Sequence, residues 1–284
     1  NSLVLRMEET EPDVRRVLAE RHLASVGFIA GGVGRAAVAG EREILSAMIN
    51  EEDHVRLQCI RPGLAPADAW RLAQRVDSEL EQNLHYSFSS DWGYLTSCPT
   101  NVGTGMRVSV LAHLVGLSRA GKLSQVLGSI CRLGLTVRGF HGEGSRAQGG
   151  FFQISNQATL GQSEDELVGN VERVAAQIAA LEGDARERLS KDEGAALEDE
   201  VWRASGVLSN ARALSSGEVM GLCSSLRLGV SLGLMEQTDL STLNELLVVT
   251  QPGHISRRVG EQAPPLQRDA ARAELVRRHL ASLN

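Results

Sequence analysis

The chain has 284 residues, 42% of them hydrophobic and 23% charged, which is the balance of an ordinary globular protein of one large domain or two smaller ones. Its net charge of −6 argues against a direct nucleic-acid partner, which would need a basic surface. No apolar run approaches the roughly 18 residues of a membrane span. Four scattered cysteines, Cys59, Cys98, Cys131 and Cys223, form no Cys-x-x-Cys pair, so a disulfide framework or a metal site is not expected and a reducing cytoplasm fits.

Leu3 to Met7 reads as a short strand without an initiator methionine before it, so the chain is expected to be a fragment or to start elsewhere. Val14 to Leu23 has helical spacing. The glycine-rich run Gly31 to Gly40 lacks the Lys-Ser or Lys-Thr end of a P-loop and reads as a mobile connection. Ile44 to Ile49 and Val55 to Ile60 read as strands around the polar cluster Asn50 to His54, with Val55, Leu57 and Cys59 on one face. Pro66 to Leu84 is an amphipathic helix with Trp70, Leu72, Val76 and Leu80 inward. Gly93 to Thr96 and Met106 to Leu111 are strand candidates. A helix over Ser118 to Leu133 ending at Gly134 follows, then strands at Leu135 to Phe140 and Phe151 to Ser155.

Several strands with few crossovers predict an α+β fold, a mostly antiparallel sheet flanked by helices. Ser163 with Glu166 three residues on is a capping box opening a helix to about Leu189. The remainder reads as an all-α bundle, with helices over Ala195 to Leu214, Ser216 to Leu232, Asp239 to Val249 and Gln267 to Leu283. The expected domains are therefore 1–189 and 190–284, and amphipathic helices in the second suggest a homodimer.

The centre of this arrangement is Thr96 to Arg107. Pro99 disfavours helix at Cys98, and Gly103 and Gly105 open backbone shapes closed to other residues. Cys98 thus sits on an irregular loop, where an inert thiol is the common outcome. Three arginines, Arg56, Arg107 and Arg138, interrupt otherwise apolar strands; together they suit a polyphosphate, since arginine forks hold phosphate oxygens two at a time. Glu52 and Glu143 sit in turns beside strands. Two carboxylates and a thiolate could hold a guanidinium, and one carboxylate could take its proton before nitrogen attacks phosphorus.

Asn50-Glu51-Glu52-Asp53-His54-Val55-Arg56 and Cys98 to Arg107 resemble the two signatures of the phosphagen (guanidino) kinases. Thr96-Ser97-Cys98, Val137-Arg138-Gly139 with Gly142-Glu143-Gly144-Ser145, and Phe152 to Gln157 resemble the bacterial branch that phosphorylates arginine in proteins. Leu208-Ser209-Asn210, Arg227-Leu228-Gly229 and Thr250-Gln251-Pro252-Gly253 extend that resemblance through the helical part.

The resemblance implies Glu52, Cys98 and Glu143 as catalytic residues. It implies an ATP site from Arg56, Arg107, Val108, Ser109, Val110 and Leu111, from Arg138, Gly139, Phe140, His141, Gly142 and Glu143, and more weakly from His22. Magnesium would arrive with ATP. Arg268-Asp269-Ala270-Ala271-Arg272-Ala273 fits the branch's Arg-Asp-x-x-Arg-Ala motif, which implies a regulatory phosphoarginine pocket at Arg268, Asp269, Arg272 and Ala273; read without the family, it is a solvated helix face.

Protein substrates with exposed arginine, a heat-shock repressor, a zinc-finger activator protein and a Clp unfoldase are the implied partners, in marking proteins for Clp-type proteolysis and regulating the heat-shock response. The family's opening segment, with a Ser-Ser-Arg-Ile-Arg-like run, is not matched here. The alternatives are a kinase for free arginine or a related small guanidino compound, and a non-catalytic phosphoarginine-binding module.

Overall fold

A computed structural model of the chain describes residues 2–140, 148–236 and 238–281. It divides into two compact units that interleave in sequence: Asn1–Ala112, Gln125–Arg138 and Gln153–Ala179 form the first, and His113–Ser124, Gly139–Phe152 and Ala180–Asn284 the second.

The first unit opens with an antiparallel sheet in the order β1-β2-β3-β4, made by Ser2–Arg6, Ala36–Gly40, Leu45–Ile49 and Val55–Cys59. α1 (Pro12–Glu20) lies between the first two strands in sequence, and Leu18, Leu23 and Phe28 share a core with Ala37, Ala39 and Met48. The expected mobile glycine-rich connection is corrected here. Residues 36–40 are an inner strand whose alternate alanines, Ala37 and Ala39, are buried. Alanine and glycine carry almost no β-propensity, so tertiary pairing decides this segment.

α2 (Pro66–Glu81) is followed by the two-stranded ribbon β5 (Phe88–Ser89) and β6 (Gly93–Tyr94). β7 (Ser109–His113), β8 (Leu135–Arg138) and β9 (Phe151–Asn156) form a third sheet in the order β7-β9-β8, with β8 and β9 antiparallel. Among the described residues the strands are thus shared among three sheets, with β1 to β4, the β5–β6 ribbon and the β8–β9 pair antiparallel.

The single helix expected over 118–133 is two, α3 (Val115–Arg119) and α4 (Leu123–Arg132). They are separated at Gly121, whose φ of 67° is left-handed and ends a helix. α5 (Glu164–Asn210) opens on the expected capping box. The Glu166 N–H donates to Ser163 Oγ at 3.3 Å, and the Ser163 N–H donates to Glu166 Oε2 at 2.8 Å. α5 is kinked at Glu193 (φ −126°, ψ 19°), just beyond the expected end of that helix.

In the second unit α6 (Ser216–Ser231), α7 (Leu240–Val249), α8 (Pro252–Val259) and α9 (Pro265–Ala281) surround a core that includes Leu208, Met220, Leu226, Leu243, Leu246 and Val276. α8 is not among the helices expected from the sequence, yet Pro252 is well placed at its first helical position. A buried polar chain stiffens this unit. Glu182 accepts from the N–H groups of Gly116 and Leu117 at 2.8 and 2.9 Å and pairs with Arg186 at 2.6 Å. Arg186 in turn donates to the His113 carbonyl at 2.8 Å, and His113 Nε2 meets Ser224 Oγ at 2.8 Å. Among the described residues, no helix is long and apolar enough to cross a membrane.

Candidate active site

The turn between β3 and β4 carries Glu52. Asn50 holds a left-handed φ of 56°, and its N–H bonds the His54 carbonyl at 2.9 Å, which closes the turn and leaves Glu52 exposed at its tip. The Cys98 loop comes to meet it. Asn101 Nδ2 donates to Glu52 Oε1 at 3.2 Å, and the Ser97 N–H donates to Asp53 Oδ1 at 2.7 Å. Cys98 is half-buried, at the start of a 3-10 turn over Pro99–Asn101, with its Sγ 3.0 Å from Thr100 Oγ1. Two motifs 46 positions apart (Glu52 and Cys98) are thereby joined into one surface by two hydrogen bonds.

The loop is braced from behind. Thr159 Oγ1 lies 3.0 Å from the Thr100 carbonyl and 2.8 Å from that of Val102, while the Thr104 N–H donates to the Thr159 carbonyl at 2.9 Å. Asn156 bridges onward: its Oδ1 accepts from the Val108 N–H at 2.7 Å and its Nδ2 donates to the Met106 carbonyl at 3.1 Å. Asp53, Asn101, Asn156 and Thr159 hold this loop in place by hydrogen bonds, and the sequence reading left them without a role. The signal was a short polar side chain beside a glycine-rich loop, where such groups replace missing backbone partners.

Close approach explains Gly103. It has φ +112°, and a Cβ there would lie 2.3 Å from the Thr159 carbonyl oxygen.

Arg56 on β4 is exposed and its Nη1 lies 3.3 Å from Glu51 Oε1. Burial raises the proton affinity of Glu51, but hydrogen bonds from Ser25, the Glu52 N–H and Arg56 outweigh it and hold its carboxyl below the usual range. The neighbour of Glu52 is therefore an anion that keeps Arg56 on this side of the sheet. His22 stands in the turn after α1 with φ 58°, and its carbonyl accepts from Gln58 Nε2 at 2.6 Å.

On the third sheet, Arg138 is opposite Gln153, and Gln153 Nε2 donates to Ser109 Oγ at 2.8 Å, so these three side chains form one polar row. Arg107 precedes that row by two residues and is exposed; it lies outside β7, which begins at Ser109 and not at Met106 as expected. Val110 is half-buried on β7, and Leu111 is exposed. The Phe140 ring is in the core of the second unit, 5.5 Å from Phe151. His141, Gly142 and Glu143 lie outside the described residues.

Exposed guanidinium groups beside a polar sheet face suit phosphate oxygens, so the described residues fit ATP. Among them, no group of three His, Cys, Asp or Glu residues could hold a metal ion.

The Arg268-to-Ala273 motif on α9 divides. Arg272 is buried and donates to the Thr250 carbonyl at 2.7 Å, the Leu214 carbonyl at 2.8 Å and Asp269 Oδ1 at 2.5 Å. Ala273 is fully buried, whereas Arg268 is half-exposed. The shared face expected for the two arginines is therefore not an open one, because the inner guanidinium is already held by the protein.

The family model described as ATP:guanido phosphotransferase, C-terminal catalytic domain, matches residues 1–185. The chain belongs to this family. A second model, protein-arginine kinase McsB C-terminal domain, matches residues 194–284. Among curated relatives of this guanidino kinase, a protein-arginine kinase from Pelotomaculum thermopropionicum is 50% identical over 97% of the chain and 77% of its own length. One from Bacillus pumilus is 44% identical over 99% and 77%.

Solved structures carry the same fold. The duplicated taurocyamine kinase from Schistosoma mansoni, with bound transition-state analogue components, aligns at TM-score 0.57 and 25% identity, over 63% of this chain and 26% of that one. Lombricine kinase aligns at TM-score 0.53 and 24% identity, over 64% and 54%. The chain is thus a kinase within the protein-arginine branch of the guanidino phosphotransferases.

Proposed function

We propose that this chain transfers the γ-phosphoryl group of ATP to arginine side chains of proteins. The observation that supports it most is the meeting of the Glu52 turn with the Cys98 loop through Asn101 and Asp53. Glu52 and Glu143 grip the guanidinium, and one of them takes its proton, because the protonated cation has no free pair to attack with. Cys98, as a thiolate, holds the remaining nitrogens.

The freed nitrogen forms a bond to the γ-phosphorus while the bond to the bridging oxygen breaks, and ADP leaves. Arg56, Arg107 and Arg138 neutralise the charge spread over the phosphoryl oxygens, and magnesium carried by the nucleotide adds to that neutralisation. Ser109 and the backbone of Val108, Val110, Leu111 and Gly139 line the nucleotide.

The wider role rests on resemblance. It is a cytoplasmic homodimer, paired through its helical region, that marks proteins for Clp-type proteolysis, inactivates a heat-shock repressor and answers to a zinc-finger activator. The Arg268-to-Ala273 motif reads phosphoarginine, with Arg268 at the ligand and Arg272 holding the pocket wall.

The test uses radiolabelled ATP with a casein-like acceptor. Acid-labile, base-stable label on the protein is expected, whereas label on free arginine alone would replace this reading with a small-molecule guanidino kinase. Glu52→Ala and Glu143→Ala should keep the fold and lose transfer by about 10²–10⁴-fold; substantial activity in both would remove the assigned roles.

A further inference from the structure

Against the Cys98 loop lies an open cleft of about 340 Å³, lined among others by Asp91, Trp92, Gly103, Thr159, Leu160 and Glu166. Its apolar surface is uncovered: Trp92 is 57% exposed and Leu160 46%. Its floor is already satisfied, since Gly103 exchanges backbone hydrogen bonds with Tyr94 at 2.8 and 3.2 Å and the Thr159 carbonyl accepts from the Thr104 N–H. Among the described residues, no Lys, Arg or His lines the cleft.

Negative charge rims it. Hydrogen bonds from the Ser163 backbone and hydroxyl hold the Glu166 carboxyl below its ordinary range, hence ionised. The field extends over the neighbouring aromatic pair: burial pushes the Tyr94 phenol up, and Glu81, Asp77 and Glu164 push it further. Tyr86, 5.9 Å from Tyr94 in an edge-on contact, is pushed up to about 12 by burial and by its hydrogen bond to Asp77. An exposed indole among carboxylates is a surface for cations, which gain from the ring face and from the charge together.

We propose that this cleft docks the residues flanking the target arginine in a substrate polypeptide and favours segments with further lysine or arginine beside an apolar residue. The inference rests on the protein-arginine reading above. Reach supports the placement. Gly103 is five residues from Cys98, a span of at most about 18 Å, so the cleft meets positions within about five residues of the phosphorylated one. A free guanidino metabolite would not extend that far.

The experiment compares two labelled 15-residue peptides, each with one central arginine, one flanked by lysine and leucine and the other by glutamine and leucine. Binding is read by fluorescence anisotropy, without nucleotide, to the wild-type chain and to Trp92→Ala and Asp91→Asn, with circular dichroism to check folding. Wild type should prefer the basic peptide, and each variant should bind it about threefold to tenfold more weakly, with the preference shrinking as salt rises.

Equal binding of both peptides, or wild-type binding by both folded variants, overturns the proposal. So does a variant that alters self-association in sedimentation while peptide binding is unchanged, since a second copy would then be the occupant. Phosphoryl transfer to both peptides is measured in parallel. Transfer without flank preference defeats the docking inference alone, whereas docking without transfer to any arginine defeats the kinase reading alone.

Discussion

Asn101 reaches across from the Cys98 loop to donate to Glu52 Oε1 at 3.2 Å, so one carboxylate oxygen is aimed by a residue three positions from the cysteine. Misplacing a reacting group by about 1 Å can cost about 100-fold in rate. Asn101→Ala should therefore lower kcat by about tenfold or more while the melting temperature stays within about 2 °C, because the bond is exposed and adds little stability. Steady-state kinetics beside a thermal melt check this. Unchanged kcat would show that Glu52 is held without it.

Gly103 has no room for a methyl group. Gly103→Ala adds a Cβ 2.3 Å from the Thr159 carbonyl oxygen at a φ of +112°. The loop must shift, at a strain of about 1–3 kcal/mol, and activity should fall further than stability. Thr159→Val would remove the hydroxyl hydrogen shared between the Thr100 and Val102 carbonyls and give a milder version of the same loss. Phosphoryl transfer and denaturant midpoints measured on both variants separate the two effects.

Arg272 and Arg268, four apart on α9, should behave oppositely. Arg272→Ala strands the Thr250 and Leu214 carbonyls and the Asp269 carboxylate around a buried gap, and should destabilise by about 3 kcal/mol or more. Arg268→Ala should leave the denaturant midpoint in place and instead weaken binding of phosphoarginine. If Arg272→Ala melts like the wild type, its bonds are replaceable by water.

His113 carries a pH signature. Burial first, then the Arg186 and Arg227 guanidinium groups, push its imidazole down to about 3. Unfolded, the same ring takes a proton near its ordinary value of about 6.5. Between those limits the unfolded chain binds more protons, so stability rises with pH. The neutral ring's contribution is complete above about pH 6.5 and is lost as pH falls towards 3, with a slope of up to about 1.4 kcal/mol per pH unit. Denaturant midpoints between pH 7 and pH 4.5 should fall more steeply for the wild type than for His113→Asn. Parallel slopes would place the acid sensitivity on other groups.

Much of this molecule is decided locally. The capping box at Ser163 and Glu166, the alternation of β4 and the break at Gly134 arise from backbone preferences and hydrogen bonds within a few residues, so they can be read along the chain. The motifs around Glu52 and Cys98 are legible too, because each is a run of consecutive residues. What the chain order cannot express is which distant groups meet.

The inner strand at Ala36–Gly40 exists because β1 and β3 pair with it. The Phe140 ring is core because Phe151 and the helical bundle enclose it, and Arg272 is a buried clamp because Leu214 and Thr250 turn their carbonyls towards it. Each of these outcomes depends on partners tens of residues away, whose burial or hydrogen bonding outweighs the weak local preference at the site itself.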